Sequence, residues 1–169
     1  MSTNAVADKF LEYAAKRLQQ LEGQIQTCIA QLSEEQMWRR GGDHENSVAN
    51  LLLHLEGKLR QWILHGIAGQ SDVRERDAEF TLAPTTTADV AWARFSATVD
   101  AASDVIAALD AARLLEIIDP QPNGTWRHPT ILEAIFKVVG HVDMHAGQII
   151  VLTKQMVAHD LDLSMPRKR

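Results

Sequence analysis

The sequence predicts an all-α protein, a four-helix bundle with a long connection between its second and third helices. Three observations predict it. Apolar residues recur at threes and fours along four long windows, the period of a half-buried helix. All five prolines, at 84, 120, 122, 129 and 166, fall outside those windows, and proline breaks helix interiors. Alternating runs of the strand type are scarce.

The first helix is expected over Ala5 to Gln31, with Phe10, Leu11, Ala14, Leu18, Leu21, Ile25, Cys28, Ile29 and Leu32 on its apolar stripe. Ser33 and Gln36 then stand at capping-box spacing, before the Gly41-Gly42 break. The second helix starts at Asn46 or Ser47 as N-cap and runs to about Ile67. Ala68 to Thr86 is polar and too long for a simple bundle turn, so it wraps the surface or lies near a site. The third helix follows Thr87 as cap, with Asp89 in its first turn, and runs to about Ala112. Ile117 to Pro129 is a loop containing Asn123-Gly124. Thr130 and Glu133 form a second capping box, and the fourth helix runs from there to about Ala158.

The chain has 169 residues, 46% hydrophobic and 23% charged, the proportions of one globular domain over residues 1–169. Such a domain buries roughly 68–70% of its unfolded surface, enough for a core without disulfide staples. Seventeen Lys and Arg against 22 Asp and Glu give a net charge of −5, which argues against a nucleic-acid partner. The one basic cluster, Arg167 to Arg169, reads as a solvated tail. Cys28 is the only cysteine, so neither an intramolecular disulfide nor a thiolate metal site fits, as in a reducing compartment. The N-terminus shows no signal-peptide pattern, and Glu56, Lys58, Lys137 and Asp143 interrupt the longest apolar segments. A cytoplasmic protein without a membrane span is expected.

Seven histidines stand at 44, 54, 65, 128, 141, 145 and 159. Only His141 and His145 have the i,i+4 spacing, which places two rings about 40° apart on one helix face and about 6 Å apart along its axis. Chance alone gives roughly 0.3 such pairs, so the spacing is weak evidence by itself. Two core histidines bonded to Gln148 or Asp143 would explain it as well. The stripe Ala134, Val138, His141, His145, Ile149 and Leu152 turns both rings toward the interior, where imidazoles need partners. His54, flanked by leucines in the second helix, adds a third inward ring. Three histidines with open positions form a catalytic-type pattern for Zn²⁺ or Ni²⁺. Carboxylates are expected to be missing from the inward stripes, which excludes a di-iron site. His65 lies about 16 Å along the axis from His54, too far to share an ion. His44 and His159 read as solvated, and His128 as solvated or covering the site mouth. Trp38, Trp62, Trp92 and Trp126 read as core or interface anchors.

Asn46-Ser-Val-Ala-Asn-Leu-Leu-Leu-His54 and His141-Val-Asp-Met-His145-Ala-Gly147-Gln148-Ile149 together resemble the DinB-like (YfiT-like) superfamily of metal-binding four-helix bundles. Arg74-x-Arg76-Asp77-x-Glu79-Phe80 and Leu163-Ser-Met-Pro166-Arg167 extend the resemblance toward one uncharacterised subfamily of it. The resemblance implies that His54, His141 and His145 ligate one divalent metal, Zn²⁺ or Ni²⁺. It further implies a homodimer acting on a small-molecule substrate, since members include thiol S-transferases using low-molecular-weight thiols and metal-dependent hydrolases. No dedicated thiol-binding signature stands out in this chain. Among second-sphere groups, Gln148 is well placed to orient His145, and Asp143 falls on the wrong face. Arg74, Arg76, Asp77 and Glu79 form either a rim near one bundle end or a solvated, salt-bridged loop. The other readings are a non-catalytic scaffold with a structural or vestigial metal, and a metal-free bundle with three core histidines.

Overall fold

Capping residues start the helices where the sequence places them. Asn4 accepts from the Ala7 N–H and opens α1, Ala5–Ile29. Ser33 and Gln36 close a reciprocal capping box on α2, a helix of one and a half turns at Glu34–Trp38. Ser47 caps α3, Val48–Leu59, and Asn50 reaches back to the Ser47 N–H. Thr87 caps α4, Ala88–Ala107. Thr130 and Glu133 close a third box on α5, Ile131–Met156. The described residues, 4–118 and 128–163 of this computed structural model, contain five α-helices and no strand. The loop reading around Asn123-Gly124, Trp126, the tail motif after Leu163 and the basic cluster lie outside them.

Helix ends differ from the sequence expectation by a few residues. The first and last helices stop two residues early, within ordinary fraying. The third ends at Ala107 rather than Ala112, because Asp110 accepts from the Ala112 N–H and starts a separate 3₁₀ turn, Ala111–Arg113. The second changes period instead of continuing as α-helix. Arg60–His65 is a π segment, closed by five-residue bonds from Gly66 N–H to Gln61 C=O at 3.1 Å and Ala68 N–H to Ile63 C=O at 3.0 Å. Gly66 permits this closure, since a Cβ there would stand 2.8 Å from the Trp62 carbonyl.

α1 packs on α4 and α5, and α3 packs on the same two, so the four long helices surround one apolar interior. Leu18, Leu21 and Ile25 meet Leu51, Leu55, Phe95, Val99, Ile135 and Val138 there, all fully buried. Each such side chain contributes roughly 1.5–3 kcal/mol through removal from water. Trp62 is buried in this interior, and Trp38 and Trp92 pack against it. Arg17 and Asp143 tie α1 to α5 at 2.8 Å on the outside. The loop after α4 is closed by Ile118 N–H to Pro129 C=O at 3.0 Å, beside an isolated bridge between Ile117 and Thr130.

The segment between the π turn and α4 lies on α3. Its 3₁₀ turn, Arg76–Phe80, is held by Asn50 donating to the Glu79 carbonyl at 2.9 Å, and Arg40 donates to the Thr81 carbonyl. By length and composition alone α5 is long and apolar enough to cross a membrane, although Lys137 and Asp143 interrupt it. Its apolarity has two sources: a stripe packed on α1 and α3, and exposed Phe136, Met144 and Val151 on the other side.

Candidate metal centre

α3 delivers His54 and α5 delivers His141 and His145 to one point. The three rings pack edge to face, with centroids 4.4 Å apart for His141–His145, 5.0 Å for His54–His141 and 5.1 Å for His54–His145. One nitrogen from each falls within 4.8 Å of the others, so the cluster could hold a metal ion. His54 Nε2 and His141 Nε2 are 2.9 Å apart. Two nitrogens bonded to one ion at about 2.0–2.1 Å and a tetrahedral angle stand about 3.3 Å apart. His54 and His145 are buried and His141 is half-buried, so the cluster opens on the His141 side.

Two of the outer nitrogens are already engaged. His54 Nδ1–H donates to Glu79 Oε2 at 2.8 Å. His145 Nδ1–H donates to Gln148 Oε1 at 2.7 Å, the partner expected for it. An imidazole that donates through Nδ1 carries its lone pair on Nε2, so both partners turn a lone pair toward the cluster centre. Asp143 is exposed and spent on Arg17, as its position on the helix implied.

Glu79 is itself anchored. Arg74 Nε donates to its Oε1 at 2.6 Å and Arg74 Nη2 to its Oε2 at 2.8 Å, a bidentate pair with side chains only 6% and 7% exposed. Gln61 Oε1, from the π segment, accepts from Arg74 Nη1 at 2.9 Å. Gly57 makes room for the pair, because a Cβ at that position would overlap Glu79 Oε1. Burial opposes ionisation of Glu79, but the bonds from Arg74 and His54 outweigh it and hold the carboxyl below its ordinary range. Burial lowers His141 to about 3, reinforced by the neighbouring His145, His54, Lys58 and Arg74. His145 is lowered by burial too, partly offset by its bond to Gln148. Proton-free imidazoles are the form that binds a metal.

Two expectations need correction. Carboxylates are not missing from the interior: Glu56 on α3 and Glu79 are both buried. Glu56 turns away to Arg94, at 2.7 Å, and Glu79 meets His54 from behind, so among the described residues only the three histidines group within reach of one ion. The 74–80 loop is not a uniform rim or a solvated stretch. Arg74 and Glu79 dive inward, and Arg76 and Asp77 stay exposed. Other histidines stay away from the cluster. His65 bonds the Gln70 carbonyl, His44 and His159 are exposed, and His128 adopts a left-handed φ of 57°.

Sequence reasoning gave no role at the site to Phe80 or Lys58, and read Trp62 as a core or interface anchor, which its burial bears out. Phe80 packs against His54 in a tilted contact, ring centroids 4.9 Å apart, and the Arg76 guanidinium lies over the Phe80 ring at 5.2 Å. Lys58 lies 4.6 Å from the Trp62 ring and Lys137 lies 4.7 Å from it. Burial lowers Lys58 to about 8, helped by the positive charges of Lys137, Arg74 and Arg76. Lys58 stands four residues after His54, and that spacing was the available signal.

Fold and cluster thus define an all-helical protein with a three-histidine candidate metal centre. The chain belongs to the family described as protein of unknown function (DUF1572), whose family model matches residues 5–169. No curated protein matches it.

Proposed function

We propose that this chain is a divalent-metal-dependent enzyme on a four-helix bundle of the DinB-like type, with His54, His141 and His145 as ligands of one Zn²⁺ or Ni²⁺. The observation that carries the reading is the pairing of three converging imidazoles with outer partners that aim two lone pairs inward. The residues fit the metal: nitrogen donors suit Zn²⁺ and Ni²⁺, and two of them have the hydrogen-bonded support that ligating histidines carry. A structural zinc site is closed by four protein ligands, and here three histidines group together among the described residues, which favours catalysis over a scaffold role. When bound, such a metal supplies the Lewis acidity that lets water or a thiol react near neutral pH. The chain's own part is to hold His54 through Glu79, hold His145 through Gln148, and wall the His54 ring with Phe80.

The reaction class that follows is transfer from a low-molecular-weight thiol, or hydrolysis, on a small substrate. The wider reading is a single cytoplasmic domain working as a homodimer. Phe136, Met144 and Val151, exposed along one side of α5, support the dimer, which sedimentation would test.

Metal analysis of the purified protein should find about one ion per chain after dialysis or after reloading. His141→Ala should abolish binding, since two remaining ligands hold an ion poorly. A chain that binds neither Zn²⁺ nor Ni²⁺ would refute the proposal. With the metal loaded, consumption of a cellular thiol together with an electrophile would identify a transferase, and turnover without thiol a hydrolase.

A further inference from the structure

Beside the histidines lies a cavity of about 330 Å³ lined by His54, Lys58, Gln61, Arg74, Arg76 and His141. Its wall carries three permanent or near-permanent cations and no carboxylate. The chain as a whole carries a net charge of −5, so this concentration runs against its average. Arg74 is neutralised by Glu79, but no ion pair engages Lys58 or Arg76 among the described residues. Lys58 is half-buried with its ammonium held beside Trp62, and Lys137 adds positive potential from the same ring. Arg76 is positioned on Phe80, which in turn packs against His54. Two cations are therefore fixed by aromatic rings at the edge of the cavity that His54 and His141 share. Around this half-buried ammonium the charges of Lys137, Arg74 and Arg76 outweigh that of Glu79, so an anion joining it is favoured.

We propose that this cavity is an oxyanion subsite: Lys58 and Arg76 bind a carboxylate or phosphate group of the substrate and set its reacting end against the histidine cluster. The inference rests on the metal-centre reading for the reacting end alone. The anion site stands on the cavity and its charges. A lysine offers a point charge and an arginine a planar fork, and both suit either oxyanion. The cavity holds a small molecule or the end of a larger one, and its lining excludes cationic substrates.

The test is calorimetric titration of the metal-free full-length protein with inorganic phosphate and, separately, with succinate. Lys58→Met keeps the apolar stem on Trp62 and removes the charge. Arg76→Gln does the same at an exposed position. Lys9→Gln removes an equal charge far from the cavity. Each cavity variant should weaken binding of the preferred anion about tenfold, the worth of one charged hydrogen bond. The double variant should abolish it, and Lys9→Gln should leave it unchanged. The Zn²⁺ stoichiometry of the double variant should stay at the wild-type value, which separates the two sites. Absence of binding to the wild type by both anions at millimolar concentration overturns the proposal, as does undiminished binding to the double variant. Should the wild type bind an anion but no metal, the subsite survives and the metal-centre reading fails. Phosphate binding without succinate binding assigns a phosphoryl group to the substrate, and the reverse assigns a carboxylate. If Lys58→Met does not fold, Arg76→Gln reads the same subsite.

Discussion

His54 is tied to Glu79, and Glu79 to Arg74, by bonds of 2.6–2.8 Å in a buried setting. Removing the charge without changing the shape separates orientation from electrostatics. Glu79→Gln should weaken Zn²⁺ affinity about 10–100-fold, the usual cost of a lost outer-sphere partner. Competition with a chromophoric chelator measures it, and an unchanged affinity would deny the Glu79 charge any part in holding His54. Gly57→Ala tests the same contact from the opposite side. The added methyl displaces Glu79, so metal affinity should fall about tenfold. Stability should fall as well, because disturbing the buried Arg74–Glu79 pair outweighs the preference for alanine over glycine in a helix, about 1 kcal/mol. These residues show where sequence reading stops. His141 and His145 were legible because helical spacing fixes their face, and Gln148 because it stands three residues from His145. Glu79 reaches His54 across 25 residues of sequence, along a loop whose path no periodicity dictates.

At the level of elements, caps were the most legible feature. Ser33, Ser47, Thr87 and Thr130 all accept from an N–H three residues on. Thr130→Ala removes one half of the box that starts α5, and should cost about 1 kcal/mol of unfolding free energy in urea. Metal affinity should survive, because His141 lies about three turns further along. A loss well above 2 kcal/mol would mean that Thr130 also holds the preceding loop, where Ile117 and Thr130 bridge. The π segment was not legible. Its residues Arg60–His65 carry an ordinary helical pattern, and the extra residue per turn depends on how closely Gly66 approaches the Trp62 carbonyl. That segment nevertheless presents Gln61 to Arg74 and Trp62 to two lysines.

For the whole molecule, the clustered imidazoles predict a pH-dependent stability. His141 titrates near 3 in the folded chain and near 6.5 when exposed, and His145 is displaced the same way. Between those values the unfolded chain binds more protons, so stability is full above about pH 6.5 and falls as pH drops toward 3. Glu79, lowered from 4.5, adds a loss in the same direction below that value. Urea midpoints of the metal-free protein should therefore decline from pH 7 to 4, and His141→Ala should flatten the upper part of the decline. A midpoint constant over that range would refute the burial of neutral rings. Metal at about 100 times its Kd should raise the unfolding free energy by about 2.7 kcal/mol through mass action.

Arg74, Arg76, Glu79 and Phe80 fall within seven consecutive positions, and between them they brace a histidine, wall its ring and supply a cation to the cavity. The rods beneath them are fixed by their own packing. Replacing this short strap with that of a relative would therefore exchange ligand preference as one cassette, leaving the scaffold and its imidazole triad in place.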